Sequence, residues 1–427
     1  MQSPKIKYAS EAQRGDENKV FIDSIKAREI LDSRGNPTVE VELETNLGVF
    51  LASVPSGVSK GKYEAVELRD REKRYHGMGV LKAVRNINEI IGPKLKGKDP
   101  TKQKEIDEFL IKLDGTKNKS RLGANAILAV SITVCRAGAA TKNAPLWKYV
   151  SQLAGRRPIL PTPCFLLMEG GLHGGGDLDV QEFMMVPATN SFKENLRIGT
   201  EIYHTLGEIL NKKYGKAATN VGCEGGFTPP LKKTVEALNL IMEAIKKAGY
   251  KNKAKIILDV AASSFYQGGK YYFEEERLNS QELLNFYLTL FKKYPIFAIE
   301  DPFAEEDWEG FQEITKKFCK KIIIVGDDLL VTNLERIKKA INKKAANGLI
   351  LKPNQIGTVS ETIEAAKYAM KNGWRVIVSH RGGETSDSFI ADLAVGLGCG
   401  WIKAGAPTRG ERIAKYNRLL KIEEELR

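Results

Sequence analysis

Ile322-Ile323-Ile324-Val325-Gly326 ends at Asp327, Leu349-Ile350-Leu351 at Lys352, Val376-Ile377-Val378-Ser379 at His380-Arg381, and Trp401-Ile402 at Lys403. Each is an apolar run of strand length closed by an ionisable residue. By subtraction, 25, 28 and 23 residues separate Asp327, Lys352, His380 and Lys403, the length of one strand plus one helix per step. Upstream, Ile256-Ile257-Leu258 runs into Asp259, and Ile296-Phe297-Ala298-Ile299 into Glu300. A parallel α/β barrel delivers the last residue of every strand to one face, where such barrels do chemistry. Three carboxylates come first and three cationic or imidazole positions follow. The expected face has a metal side opposite an anion and base side.

The rest of the chain is consistent with this reading. Its 427 residues suit a barrel plus a smaller domain. No apolar run approaches the ~20 residues of a membrane span, so no membrane partner is expected. Residues 1–19 are polar and carry no signal-peptide core; they are expected to be a flexible extension. The five cysteines lack a CxxC pair, which points to a reducing cytoplasm. A net charge of +13 and pI near 9.2 could suit a nucleic-acid partner. The lysines, however, come as scattered pairs such as Lys212-Lys213 and Lys343-Lys344, without aromatic platforms. A solvated basic surface is the expectation, with a mild attraction for anionic substrates.

Residues 20–150 read as an α+β capping domain and residues 151–427 as the barrel. Val39, Val41 and Leu43 alternate with Thr38, Glu40 and Glu42, and Val49 to Val54 returns as a second strand. Ile106, Phe109, Leu110 and Leu113 recur at helical spacing before Asp114-Gly115, and Leu122 to Thr141 reads as an Ala-rich helix. Gly155-Arg156-Arg157-Pro158 breaks the pattern at the join. In the barrel, Thr358 and Glu361 read as a capping box opening a helix that Asn372-Gly373 ends.

Asp259, Glu300 and Asp327 are hard oxygen ligands whose mutual repulsion calls for a cation, and Mg²⁺ suits an oxygen-only site. Lys352 either forms an ion pair or acts as a base with a lowered pKa. Glu182 and Glu224 are further acids in or near Gly-rich loops, where glycines permit close approach to a ligand. The run from Gly170 to Gly176 lacks the spacing of a nucleotide loop.

With these residues assembled, the chain resembles the enolase family from about Ile25 to Leu426. The carrying strings are Asp32-Ser33-Arg34-Gly35-Asn36-Pro37-Thr38-Val39-Glu40, Asn118 to Ala126, Ile299-Glu300-Asp301-Pro302-Phe303, Asn354-Gln355-Ile356-Gly357-Thr358 and Gly405-Ala406-Pro407. The resemblance implies a TIM-like (β/α)8 barrel with an antiparallel second strand. It also implies a homodimer, open to higher assembly, and two Mg²⁺ per site interconverting 2-phosphoglycerate and phosphoenolpyruvate. Enolase-superfamily sites are known for a Lys or His base beside Mg²⁺. Matched position by position, Asp259, Glu300 and Asp327 would hold the first Mg²⁺, and Ser59 on a closing loop the second. Lys352 would take the α-proton and Lys403 would bind the substrate carboxylate. Glu224, supported by Glu182, would assist loss of the hydroxyl, while His173 and His380 line the site and Arg381 grips the phosphate.

Departures from the family pattern cluster around this site. They are Val58 and Lys60 in the loop, Cys223 before the acid, Gly382 after His380-Arg381, Ala404 after Lys403, and Leu166, Glu169 and Gly176 in place of Asn. Lys60 is expected to replace lost phosphate contacts with a point charge. Two alternatives to an enolase remain open here: a paralogue acting on another 2-hydroxy carboxylate, and a noncatalytic binding protein.

Overall fold

The computed structural model describes residues 19–58 and 61–426. Most of the N-terminal extension, and Ser59 and Lys60, lie outside the described residues. Strand alternation builds the first layer. β1 (Ile22–Leu31), β2 (Pro37–Thr45) and β3 (Gly48–Ser53) form an antiparallel sheet in that order. Val39, Val41 and Leu43 turn fully inward, each such burial contributing about 1.5–3 kcal/mol. Glu40 and Glu42 turn outward to Arg28 of β1, at 2.8 and 2.6 Å. The sequence reading did not anticipate β1, because along it only Ile22 and Ile25 are buried and no period of two emerges.

Helix Gln103–Asp114 buries Ile106 and Leu110 and stops at Gly115, whose φ of 71° suits glycine. Helix Ala124–Thr141 is long and apolar enough, by length and composition, to cross a membrane, but 83% of it is buried inside this fold as a core helix.

The second layer is a closed eight-stranded barrel. Its strands are β4 (Thr162–Glu169), β5 (Glu182–Pro187), β6 (Ala254–Asp259), β10 (Ile296–Glu300), β11 (Ile323–Gly326), β12 (Gly348–Leu351), β13 (Arg375–Ser379) and β14 (Gly400–Lys403). The short strands β7 (Tyr266–Gln267), β8 (Lys270–Phe273) and β9 (Glu276–Leu278) form a separate small sheet. Only β5, the second barrel strand, runs antiparallel to its neighbours, as the resemblance implied; every other barrel pairing is parallel.

The register positions the chemistry. Glu169 pairs with Glu182, Glu182 with Asp259, and Asp259 with Glu300. Four carboxylates therefore stand in one row across four adjacent strands. Because β5 is reversed, Glu182 reaches this face as the first residue of its strand rather than the last.

The small domain closes over the same face. Ser56 and Gly383 exchange backbone hydrogen bonds of 2.7 and 3.0 Å. Arg136 grips Asp387 in a two-pronged ion pair at 2.7 and 2.8 Å, and buried Asp107 accepts from the Ser360 N–H at 2.9 Å. Thr358 caps helix Val359–Lys371 by accepting from the Glu361 N–H. The Glu361 carboxylate accepts from the Thr358 hydroxyl and from Lys119, so the reciprocal half of the expected capping box gives way to an inter-domain contact.

Candidate active site

Lys403 ends β14 and sends its ammonium across the barrel mouth into the acid row. It lies 2.8 Å from Asp259, 2.9 Å from Glu300 and 3.2 Å from Glu182. Burial disfavours its charge, but those three carboxylates outweigh burial and hold its pKa well above the usual value. One strand further round, the Lys352 ammonium contacts Asp327 directly. Gln355 donates to the other Asp327 oxygen at 2.8 Å. Lys352 was expected to have a lowered pKa if it serves as a base. Instead, although burial lowers it, the Asp327 charge raises it overall. The ammonium form is favoured as long as Asp327 faces it.

Asp259 and Glu300 therefore come together around Lys403, whereas Asp327 groups with Asp301 and Asp328, close enough to share an ion. Asp301 fixes that loop by accepting from the N–H groups of Asp327 and Asp328, at 3.0 and 2.7 Å. Burial and the Asp327 charge push Asp328 up to about 8. An ammonium is held at Asp259, Glu300 and Asp327, and all the donors are hard oxygens, so the residues fit a divalent cation such as Mg²⁺.

On the opposite side Glu224, 2% exposed, stands between two imidazoles. His380 Nε2 is 3.2 Å from it and His173 Nδ1 is 3.6 Å; His173 Nδ1 is also 3.5 Å from Glu182. Arg412 approaches His380 Nδ1 at 2.7 Å. Burial first, and then the Arg412 charge, lower the His380 pKa to about 3 despite Glu224. The ring is thus neutral; Nδ1 accepts from Arg412 and the proton sits on Nε2, toward Glu224. Burial and the Glu224 charge push Glu182 up, and the surrounding carboxylates push His173 up against burial, so a proton in this group is favoured on Glu182 or His173 over Glu224, which the two imidazoles hold down.

Arg381, expected to grip a phosphate, is held by Glu64 at 3.0 and 3.1 Å and by Asn354 at 3.0 Å. Val58, His173, Glu182, Glu224, Lys352, His380 and Arg381 line one cleft at this face. Ser59 lies outside the described residues.

Several functional residues escaped the sequence reading. Glu64 has no local pattern. Arg412, fully buried on the C-terminal helix, donates to the carbonyls of Arg381, Cys223 and Gly382 at 2.6, 2.9 and 2.7 Å, yet in sequence it resembles any surface cation. Glu169 was noted only as a departure. Its Oε1 accepts from the N–H groups of Glu224 at 3.0 Å and Gly226 at 2.6 Å, which pins the loop bearing the acid. Burial, then the Glu224 charge, push Glu169 up to about 8. A β-carbon on Gly222 would meet Glu169 Oε2 at 2.2 Å, so only glycine fits there. The departures also pack against one another. A β-carbon on Gly382 would lie 2.3 Å from Val58 Cγ2 and 3.5 Å from Cys223 Sγ. The side chain missing at 382 is replaced by the extra bulk at 58.

Comparison with known proteins agrees with this geometry. Residues 22–150 match the family model described as the enolase N-terminal domain, and residues 157–427 that of the enolase C-terminal TIM barrel domain. The chain is 56% identical over 407 residues to the enolase of Methanocaldococcus jannaschii, covering 95% of each chain. It is 56% identical over 420 residues to enolase B of Dictyostelium discoideum, again covering 95% of each. It is 54% identical over 423 residues to the enolase of Solanum lycopersicum, with the same coverage.

Proposed function

The chain belongs to the enolase family, and from that premise we propose that the barrel face converts 2-phosphoglycerate and phosphoenolpyruvate into each other by splitting one proton transfer from the other. The protein is a lyase of the enolase class, and the alternative readings are not favoured by 54–56% identity across 95% of the chain. The observation that carries the mechanism is the separation of charge across the barrel mouth. Lys352 stands with Asp327 on one side, and the acid group of Glu224, Glu182 and His173 on the other.

Asp259, Glu300 and Asp327 would hold Mg²⁺, with Ser59 serving a second ion. Bound there, Mg²⁺ supplies positive charge for the substrate carboxylate as it gains enolate character. With Asp327 so engaged, Lys352 would lose the partner that keeps it protonated and release its proton to solvent, and as the free amine it would take the proton from C2. The electron pair left behind expels the C3 hydroxyl. Glu224 gives that hydroxyl a proton, drawn from the store it shares with Glu182 and His173, and water leaves. Lys403 balances the carboxylate end. His380, fixed by Arg412, orients its Nε2–H toward Glu224. Arg381 offers its planar fork to the phosphate, with Glu64 and Asn354 keeping it aimed.

The family resemblance also leads us to a cytoplasmic homodimer working in glycolysis and gluconeogenesis. The test is turnover. Purified protein with Mg²⁺ and 2-phosphoglycerate should develop the ultraviolet absorbance of the enol phosphate, and EDTA should abolish it. A folded, Mg²⁺-loaded protein that leaves 2-phosphoglycerate untouched overturns the reading.

A further inference from the structure

The turn after β11 holds two buried β-branched residues in the left-handed backbone region, Val331 at a φ of 43° and Thr332 at 55°. That conformation crowds a branched side chain, and such strain persists only where the surroundings impose it. Here the Thr332 hydroxyl is held at both of its ends. Its Oγ1 accepts from the Lys352 N–H at 2.9 Å and donates to Gln355 Oε1 at 2.8 Å. Gln355, itself buried, donates from Nε2 to Asp327 Oδ1 at 2.8 Å. A backbone N–H closes one end of this bridge and a carboxylate the other, so the hydroxyl and the amide each have one possible orientation. Asp327 Oδ1 is thereby committed to the amide, and Oδ2 is left to the Lys352 ammonium. The Gln355 backbone adds two more ties: its N–H donates to the Lys352 carbonyl at 3.0 Å, and its carbonyl accepts from the Ala65 N–H of the small domain at 2.8 Å.

We propose that Thr332 and Gln355 are positioning residues whose hydroxyl–amide bridge turns the Asp327 carboxylate so that one oxygen alone is offered to a cation, while the same hydroxyl fixes the backbone of Lys352. One strained turn thus sets the carboxylate and the amine that faces it from a single point. Without the hydroxyl, the Lys352 N–H loses a buried acceptor and the Gln355 amide is free to rotate. Asp327 then has no preferred oxygen to present. Neither Thr332 nor Gln355 needs to touch the substrate, so both act through Asp327 and Lys352. The effect on turnover rests on the proposed dehydration mechanism; the orientation of Asp327 toward a cation does not.

The experiment compares three variants of the full chain. Thr332→Val keeps the branched shape and removes the hydroxyl, Thr332→Ser keeps the hydroxyl, and Gln355→Met removes the amide at similar length. Mg²⁺ binding, measured by calorimetry without substrate, should weaken about tenfold or more in Thr332→Val and Gln355→Met, and stay within about twofold of wild type in Thr332→Ser. At saturating Mg²⁺, Thr332→Val should lose about 10–100-fold in kcat while KM for 2-phosphoglycerate moves by less than about threefold. KM is spared because Glu64 and Asn354 still hold Arg381. Circular dichroism shows which variants have folded, and if Thr332→Val has not, Gln355→Met decides. Wild-type Mg²⁺ affinity in a folded Thr332→Val or Gln355→Met overturns the bridge. So does a Thr332→Ser variant as impaired as Thr332→Val, which would assign the effect to packing. Weakened Mg²⁺ binding with kcat unchanged keeps the orientation of Asp327 and overturns its part in turnover. Should wild type leave 2-phosphoglycerate untouched, the dehydration reading fails and the calorimetry still decides the bridge.

Discussion

Glu169→Gln tests how the carboxylate beneath the acid loop is tuned. Glutamine keeps an oxygen that can accept from the N–H groups of Glu224 and Gly226, so the change removes a titrating charge and leaves the support. In the folded protein burial and the Glu224 charge raise this carboxyl from 4.5 to about 8. The sign follows from proton binding. Below pH 4.5 both states hold the proton and the residue contributes nothing to the pH slope. Between 4.5 and 8 the unfolded chain has released its proton while the folded protein keeps it, so stability falls as pH rises. Each pH unit in that window is worth about 1.4 kcal/mol. From pH 6 to pH 8, with the slope falling off as the folded value is reached, the wild type should therefore lose about 2 kcal/mol through this residue, and Glu169→Gln should not. Urea unfolding in EDTA at pH 6, 7 and 8, followed by tryptophan fluorescence, measures the difference. Parallel pH dependences in the two proteins would refute the tuning.

Two further outcomes follow from the structure. Arg412→Lys removes the fork that binds His380 Nδ1 and three carbonyls at once; it should lower kcat/KM about 10–100-fold while the melting curve stays cooperative, and a near-normal rate would show that His380 needs no such support. Asp387→Asn breaks the half-buried inter-domain pair with Arg136 and should cost about 1–3 kcal/mol at pH 7 in chemical denaturation. Burial raises the Asp387 pKa but Arg136 lowers it further, so on balance it is depressed. Its contribution is present above the unfolded value near 3.8 and is lost as pH falls through the folded value. The acid sensitivity of wild type below pH 4 should accordingly be smaller in the variant, and an unchanged acid profile would place that sensitivity elsewhere.

How legible the site was in the sequence depended on strand direction. Asp259, Glu300 and Lys403 end their strands, while Lys352 and His380 directly follow theirs, and a rule about strand ends finds all five. Glu182 was placed in or near a loop because β5 runs backwards and its acid comes first, where no hydrophobic run precedes it. Glu169 closes β4 in register with Glu182, but Leu166-Leu167-Met168-Glu169 gives no hint that its carboxylate receives two backbone N–H groups from residues more than fifty positions away. Arg412 and Glu64 act only through tertiary contact, so no periodicity marks them. In the small domain the alternation of β2 was plain because one of its faces is fully buried. β1 was hidden because most of its residues are only partly covered. The departures at Val58 and Gly382 read as unrelated one at a time and as a swap of volume once their separation is known.

The division of labour across the barrel mouth can be measured most directly by exchange of the C2 proton of 2-phosphoglycerate with deuterated water in the presence of Mg²⁺. With Glu224→Gln, the account predicts exchange at C2 without release of phosphoenolpyruvate, because the base side is intact and the acid side is not. With Lys352→Ala it predicts neither exchange nor product. Exchange that persists in Lys352→Ala would contradict it, since the proton would then be leaving to some other base.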